Sequence, residues 1–203
     1  MVDWIAQNWI EITGAVTALL YMYFSIREKF WLWPVGFVTS AFYLVVFYQS
    51  QLYADMSLQI YYLLISIYGW FHWAGNSKSV KSGETNLPTI SLSYRVLINY
   101  LLLTLILTVV IYFVLKQLPQ YLNLLPSSLP FGDAFTTAGS IVATWMLARK
   151  ILENWLLWIF VDLFAMAMYI SKELYITAAL FMIYTLMAIT GYIKWKQNMC
   201  CSK

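Results

Sequence analysis

Histidine and cysteine are almost missing from this chain: His72 is the single imidazole, and Cys200 and Cys201 are the only thiols among 203 residues. A metal centre wants clustered His, Cys and carboxylate ligands, so none is expected. The two cysteines are adjacent and follow the last apolar segment; they fit no disulfide or metal spacing and read as an inert tail, with lipidation as the lesser alternative. A Ser-His-Asp relay would have to use His72, at a helix end remote from the one deeply placed acid, Asp162. No Gly-rich loop is present to cradle a phosphate. The sequence therefore points away from an enzyme, and no cofactor is expected. Charge is scarce too: Asp, Glu, Lys and Arg make up 10% of the chain against 62% hydrophobic and 19% aromatic residues, with a mean hydropathy of +0.70. That composition belongs to a polytopic membrane protein. The net charge of +3 comes from basic residues in short loops, as membrane topology demands, so no nucleic-acid partner is inferred.

What is present is length. Seven stretches approach the roughly 20 apolar residues that a transmembrane helix needs: about 9–26, 31–49, 54–73, 94–116, 131–148, 152–170 and 173–193. The N-terminus, Met1-Val2-Asp3-Trp4, lacks the basic region of a cleavable signal, so the first stretch is expected to be retained as a helix. Polar breaks at Asn76–Leu87 and Leu125–Pro130 flank the fourth stretch. Ten of the 12 basic residues (Arg27, Lys29, Lys78, Lys81, Arg95, Arg149, Lys150, Lys194, Lys196, Lys203) fall on one side, and only Lys116 and Lys172 on the other. The positive-inside rule then predicts a cytoplasmic C-terminus and an outer N-terminus. Asp3, Glu11, Asp55, Asp133 and Glu173 fall at or near the outer ends, where they would meet an entering cation first.

The chain also repeats itself. A gapless shift of 122 residues lays 11–73 on 133–195 with eleven identities in 63 positions, among them Arg27/Arg149, Trp33/Trp155, Tyr62/Tyr184, Gly69/Gly191 and Trp73/Trp195. Two three-helix units of the same orientation need a linking crossing, which the fourth helix supplies. The expected fold is all-α, with seven transmembrane helices in a 3+1+3 parallel repeat. Its parts are a first repeat over 1–75, a loop and linker helix over 76–130, a second repeat over 131–197 and a cytoplasmic tail over 198–203.

The residue hardest to place in such a chain is Asp162. A carboxylate near the bilayer centre costs roughly 3 kcal/mol, and helices keep such groups where they meet a partner, a cavity or a substrate. Trp155, Trp158 and Asp162 are spaced by three and four residues, so they share one helix face. Two indoles and a carboxylate on one face suit a flat, cationic molecule. If the repeats enclose a pathway, the counterparts Trp33 and Ser40, with Thr39 beside it, face it as well. Gln59 and Tyr62 on the third helix and Tyr184 on the seventh complete the candidates. The alternatives are structural: the tryptophans as interfacial anchors, especially Trp73 and Trp195, and Asp162 paired to a neighbouring helix. Glu28 and Glu153, beside Arg27, Lys29, Arg149 and Lys150, read as local ion pairs.

At this point the residues match a family. The run Arg149-Lys150-Ile151-Leu152-Glu153-Asn154-Trp155-Leu156-Leu157-Trp158, followed by Asp162, resembles the signature of the PnuC-type vitamin transporters, typified by nicotinamide riboside transporters. Gln51-Leu52-Tyr53-Ala54, Leu58-Gln59 and Tyr68-Gly69-Trp70 resemble the third helix of the same family, and similarity extends through Trp9-Ile10-Glu11 and Asp133. The resemblance implies a fold like a full-length SWEET transporter, a homotrimer, and facilitated diffusion of a vitamin that a cytoplasmic kinase phosphorylates and traps. It assigns Trp155, Trp158 and Asp162 to the substrate, with Gln59 as helper. Riboside-selective members carry Asn where this chain has Asp162. A carboxylate only accepts hydrogen bonds unless protonated, which suits an aminopyrimidine, and thiamine transporters belong to the same family. Nicotinamide riboside is therefore the first expectation and thiamine the alternative. A proton-coupled transporter using Asp162 as carrier, and a membrane scaffold without transport, stand further off.

Overall fold

The computed structural model describes residues 9–49, 53–75, 85, 87–122 and 129–201. Among them are seven helices: α1 (Trp9–Ile26), α2 (Leu32–Gln49), α3 (Tyr53–Ala74), α4 (Tyr94–Leu122), α5 (Pro130–Ala148), α6 (Asn154–Ser171) and α7 (Tyr175–Cys201). Each coincides with one of the seven apolar stretches. The protein is all-helical, as expected. Two helices outrun the hydropathy signal: α4 continues to Leu122 with Pro119 inside it, and α7 carries Lys194, Lys196, Gln197 and Asn198 beyond the apolar run. Lys and Gln are good helix formers, so a helix ends later than its apolar segment does. By length and composition α2, α6 and the greater parts of α4 and α7 are able to cross a membrane. On α4 the side chains of Leu101, Leu105, Ile106, Val110 and Phe113 are all exposed, which is the surface lipid would cover.

Contacts divide the chain into two units. The first runs to Pro88 and includes Ala148–Lys150; the second holds Thr89–Leu147 and the residues from Ile151 onward.

In the first unit α2 packs on both α1 and α3. Trp33 is fully buried, and its indole lies so close to Gly69 that a Cβ there would collide with it. Only glycine permits that approach. The Trp33 ring also meets Trp73 edge to face, centroids 5.7 Å apart at 81°. In the second unit α6 packs on α7, and the same arrangement recurs: Trp155 covers Gly191 and meets Trp195 at 5.6 Å and 86°. Trp73 and Trp195 were expected at the membrane interface; both are fully buried instead, each under its partner indole. Position near a lysine cluster looks the same in sequence for an anchor and for a packed ring.

The turns entering α2 and α6 match as closely. Lys29 N–H donates to the Phe24 carbonyl and Ile151 N–H to that of Met146, both at 3.0 Å, the long backbone bond that closes a helix C-terminus. The residue enclosed by each bond is left-handed: Glu28 at φ 54° and Lys150 at φ 56°. Leu32 and Trp33, and likewise Asn154 and Trp155, then donate to carbonyls three residues back. Glycine usually fills the left-handed position, and a side chain there costs roughly 1–2 kcal/mol.

The two glutamates of these turns, expected in local ion pairs, have partners distant in sequence. Glu28 Oε2 meets Lys150 Nζ at 2.8 Å, a partner 122 residues away. Glu153 accepts from the Ser91 hydroxyl and, at 3.1 Å, from the Leu92 N–H. Beside it Ile90 pairs with Ile151, with Leu152 N–H donating to the Ile90 carbonyl. Glu153 therefore fixes the entry to α4.

Candidate functional site

The site grows from the N-terminal half of α6. Its inward face carries Asn154, Trp155, Leu157, Val161, Asp162 and Ala165, while Phe160, Leu163 and Ile170 are exposed. Trp155 and Asp162 are buried, at 2% and 4% exposure, and Trp158 between them is half-buried. The three share a face, as their spacing requires. Trp158 packs against a cluster of Val142, Ala143, Met146, Ile151, Leu157 and Val161, which sets the height of its ring on the helix. Close approach of α5 supports this: Gly139 lies against Val161, and Phe135 meets Phe164 at 4.8 Å.

Asp162 makes no hydrogen bond or ion pair with any described residue. A buried carboxylate is normally paired or bound to something. The structural alternative, a donor on a neighbouring helix, is not what the described residues provide. Two further groups near the start of α6 have no partner among the described residues: Trp155 Nε1 and Asn154 Oδ1, although Asn154 Nδ2 donates to the Ile151 carbonyl at 2.6 Å. Asn154 was not singled out from sequence. Its place in the tryptophan motif, next to a residue that must be buried, was the available signal.

The remaining candidates are distributed as follows. In the first unit Ser40 is 5% exposed and without a hydrogen-bond partner among the described residues, and Thr39 donates to the Val35 carbonyl at 2.9 Å, a bond within its own helix. Gln59 is half-buried and also has no partner among the described residues. Tyr62 lies beside Tyr61, centroids 5.8 Å apart. Trp33 Nε1, like that of its counterpart Trp155, has no partner among the described residues. In the second unit Tyr184 stands edge-on to Phe181 at 5.7 Å. The motif residues Gln51 and Leu52 lie outside the described residues.

A groove of about 400 Å³ opens on the first unit, lined by Trp33, Pro34, Phe37, Ser66, Trp70 and Phe71 among others. Of the candidates only Trp33 borders it. Its walls are almost wholly apolar, so it lacks the charge that makes α6 chemically distinctive. Among the described residues no group of three or more His, Cys, Asp or Glu is placed to hold a metal.

Comparison with known proteins agrees with this chemistry. The family model described as nicotinamide mononucleotide transporter matches residues 8–197. The chain is 26% identical over 206 residues to the nicotinamide riboside transporter PnuC of Escherichia coli (strain K12), covering 93% of this chain and 85% of that one. It is 23% identical over 187 residues to the riboflavin/roseoflavin transporter RibM of Streptomyces davaonensis, covering 92% and 84%. The crystal structure of the vitamin B3 transporter PnuC superimposes with a TM-score of 0.75 at 21% identity, over 99% of this chain and 86% of that chain, so the fold is shared. With a family match over nearly its whole length, the chain belongs to the nicotinamide mononucleotide transporter family, the PnuC-type vitamin transporters, and is a multi-pass membrane transporter rather than an enzyme.

Proposed function

We propose that this protein takes up a cationic vitamin, nicotinamide riboside in the first place, by facilitated diffusion. The observation that carries this is Asp162: a buried carboxylate without a partner among the described residues, on the same helix face as Trp155 and Trp158. A positively charged aromatic ring supplies what that face lacks, a cation for the carboxylate and a flat surface for the indoles. The relative from Escherichia coli, named for the riboside, supports that choice of cargo. Gln59, Tyr62, Thr39, Ser40, Trp33 and Tyr184 are proposed as further contacts.

The same reading includes a 3+1+3 arrangement resembling a full-length SWEET fold, with repeats over 1–75 and 131–197 joined by the linker over 76–130. The matched turns and the matched Trp-Gly contacts support it. It further includes a homotrimer in the inner membrane, an outer N-terminus, a cytoplasmic C-terminus, and trapping of the cargo by a cytoplasmic kinase.

Thiamine is the second reading. A carboxylate at 162 accepts from an exocyclic amine, whereas a carboxamide is better served by a side chain that also donates. The relative named for riboflavin makes a third vitamin worth including. The deciding experiment is calorimetric titration of the purified protein with nicotinamide riboside, thiamine and riboflavin, with tryptophan fluorescence alongside. Riboside binding alone supports the first reading. Thiamine binding alone replaces it, and no binding of any of the three removes the vitamin assignment.

A further inference from the structure

Lys150 takes no part in the proposed vitamin contacts, yet among the described residues it is the one Lys or Arg that is buried, at 3% exposure. Its ammonium is held by Glu28 Oε2 at 2.8 Å and by the Leu87 carbonyl at 2.6 Å, and it stands 5.3 Å from the centre of the Trp73 ring. The two residues before it are held as well: the Ala148 carbonyl accepts from Trp73 Nε1 at 3.0 Å, and Arg149 reaches the Tyr68 hydroxyl at 3.4 Å. Ala148–Lys150 accordingly groups with the first unit, although the residues on either side of it group with the second. Glu28 and Lys150 are counterparts under the 122-residue shift, and both are left-handed. Like charges at two such positions would repel; this chain has one of each sign.

We infer that the Lys150–Glu28 pair is a latch that closes one end of the transporter and opens in each transport cycle. The inference rests on the transport reading above. Three features separate a latch from a permanent staple. The contact is made by a helix end and the turn that follows it rather than by a helix face. Its bonds are polar, so water can replace them on opening, as it cannot replace apolar packing. A buried ion pair also roughly breaks even against its own desolvation, so making and breaking it needs little net driving force. Such an element has two discrete arrangements, as a gate requires.

The test bridges the latch. In a background carrying Cys200→Ser and Cys201→Ser, Glu28→Cys with Lys150→Cys is joined by a reducible bis-thiosulfonate reagent, and the protein is reconstituted in vesicles. The bridged protein should bind nicotinamide riboside within about twofold of the reduced protein while uptake falls roughly tenfold or more, since blocking a gating step stops turnover without removing the site. Reduction should restore uptake. Equal uptake in bridged and reduced protein overturns the latch, and so does failure of the bridge to form, because the two positions would then not be neighbours. A second measurement needs no substrate and leaves the pair intact: spin labels at Arg27→Cys and Arg149→Cys, both exposed positions. A latch gives a short and a long distance, and adding Lys150→Met removes the short one. A single distance that Lys150→Met leaves unchanged overturns the proposal. Should the reduced protein neither bind nor carry riboside, thiamine or riboflavin, the transport reading fails, and the two distances still decide the latch.

Discussion

An ionised side chain inside an apolar helix costs roughly 3 kcal/mol when nothing pairs with it, so replacing Asp162 by a neutral isostere should leave the fold intact or firmer. Asp162→Asn is therefore a test of selectivity rather than of stability. We expect thiamine affinity to fall by about tenfold and riboside affinity to fall less, because both rings lose the attracting charge while the amide, which donates as well as accepts, suits a carboxamide. Calorimetry on the variant checks this, and two unchanged affinities would remove Asp162 from the site. Trp158→Ala should cost roughly tenfold or more in vitamin affinity, in line with the value of stacking a ring on an aromatic side chain. It should also lower the melting temperature modestly, since the ring is half-buried against the Val142–Val161 cluster. Trp158→Phe separates the two effects: restored stability with restored binding fits a stacking surface, and restored stability alone does not. The shared face of Trp155, Trp158 and Asp162 was legible from spacing. The contact of Glu28 with Lys150 was not, because a loop with mixed charges satisfies the pattern of a local pair whichever lysine comes close.

Between helices the close approach of an indole to a glycine is the repeated device. Gly191→Val would push a branched side chain into the Trp155 ring, and overpacking of that kind costs about 1–3 kcal/mol. Thermal unfolding in detergent should show the loss, and Gly69→Val should show a similar one against Trp33. A variant at either position that melts with the parent would mean the helices pack otherwise. The seven helices themselves were legible because lipid demands long apolar runs, and that demand is strongest in their middles. The ends of α4 and α7 were not, because polar helix formers continue a helix outside the apolar layer. Buried Trp73 and Trp195 escaped for a related reason: their sequence neighbours describe depth along the helix and say nothing about which side of it is covered.

For the assembled transporter the separating measurement is accumulation. With the membrane potential clamped at zero, facilitated diffusion should bring labelled riboside to equal concentration across a vesicle membrane and no further, with no change when a pH gradient is dissipated. Accumulation against a gradient that collapses with the protons would instead make Asp162 a proton carrier. Eleven identities at a fixed shift make the repeat an expectation of the sequence, and the matched turns and indole contacts are consistent with it. The cargo was not legible to the same degree, since riboside and thiamine both carry a positive ring. One feature of the turns bears on how this protein would respond to engineering for heat resistance. Glycine is the cheapest residue at a left-handed position, and exchanging Glu28 and Lys150 for it together removes two strained backbones along with an ion pair that roughly breaks even. A screen that rewards survival at high temperature and ignores uptake would drift toward glycine at both positions, and the hardiest clones it returned would be the ones that had lost their gate.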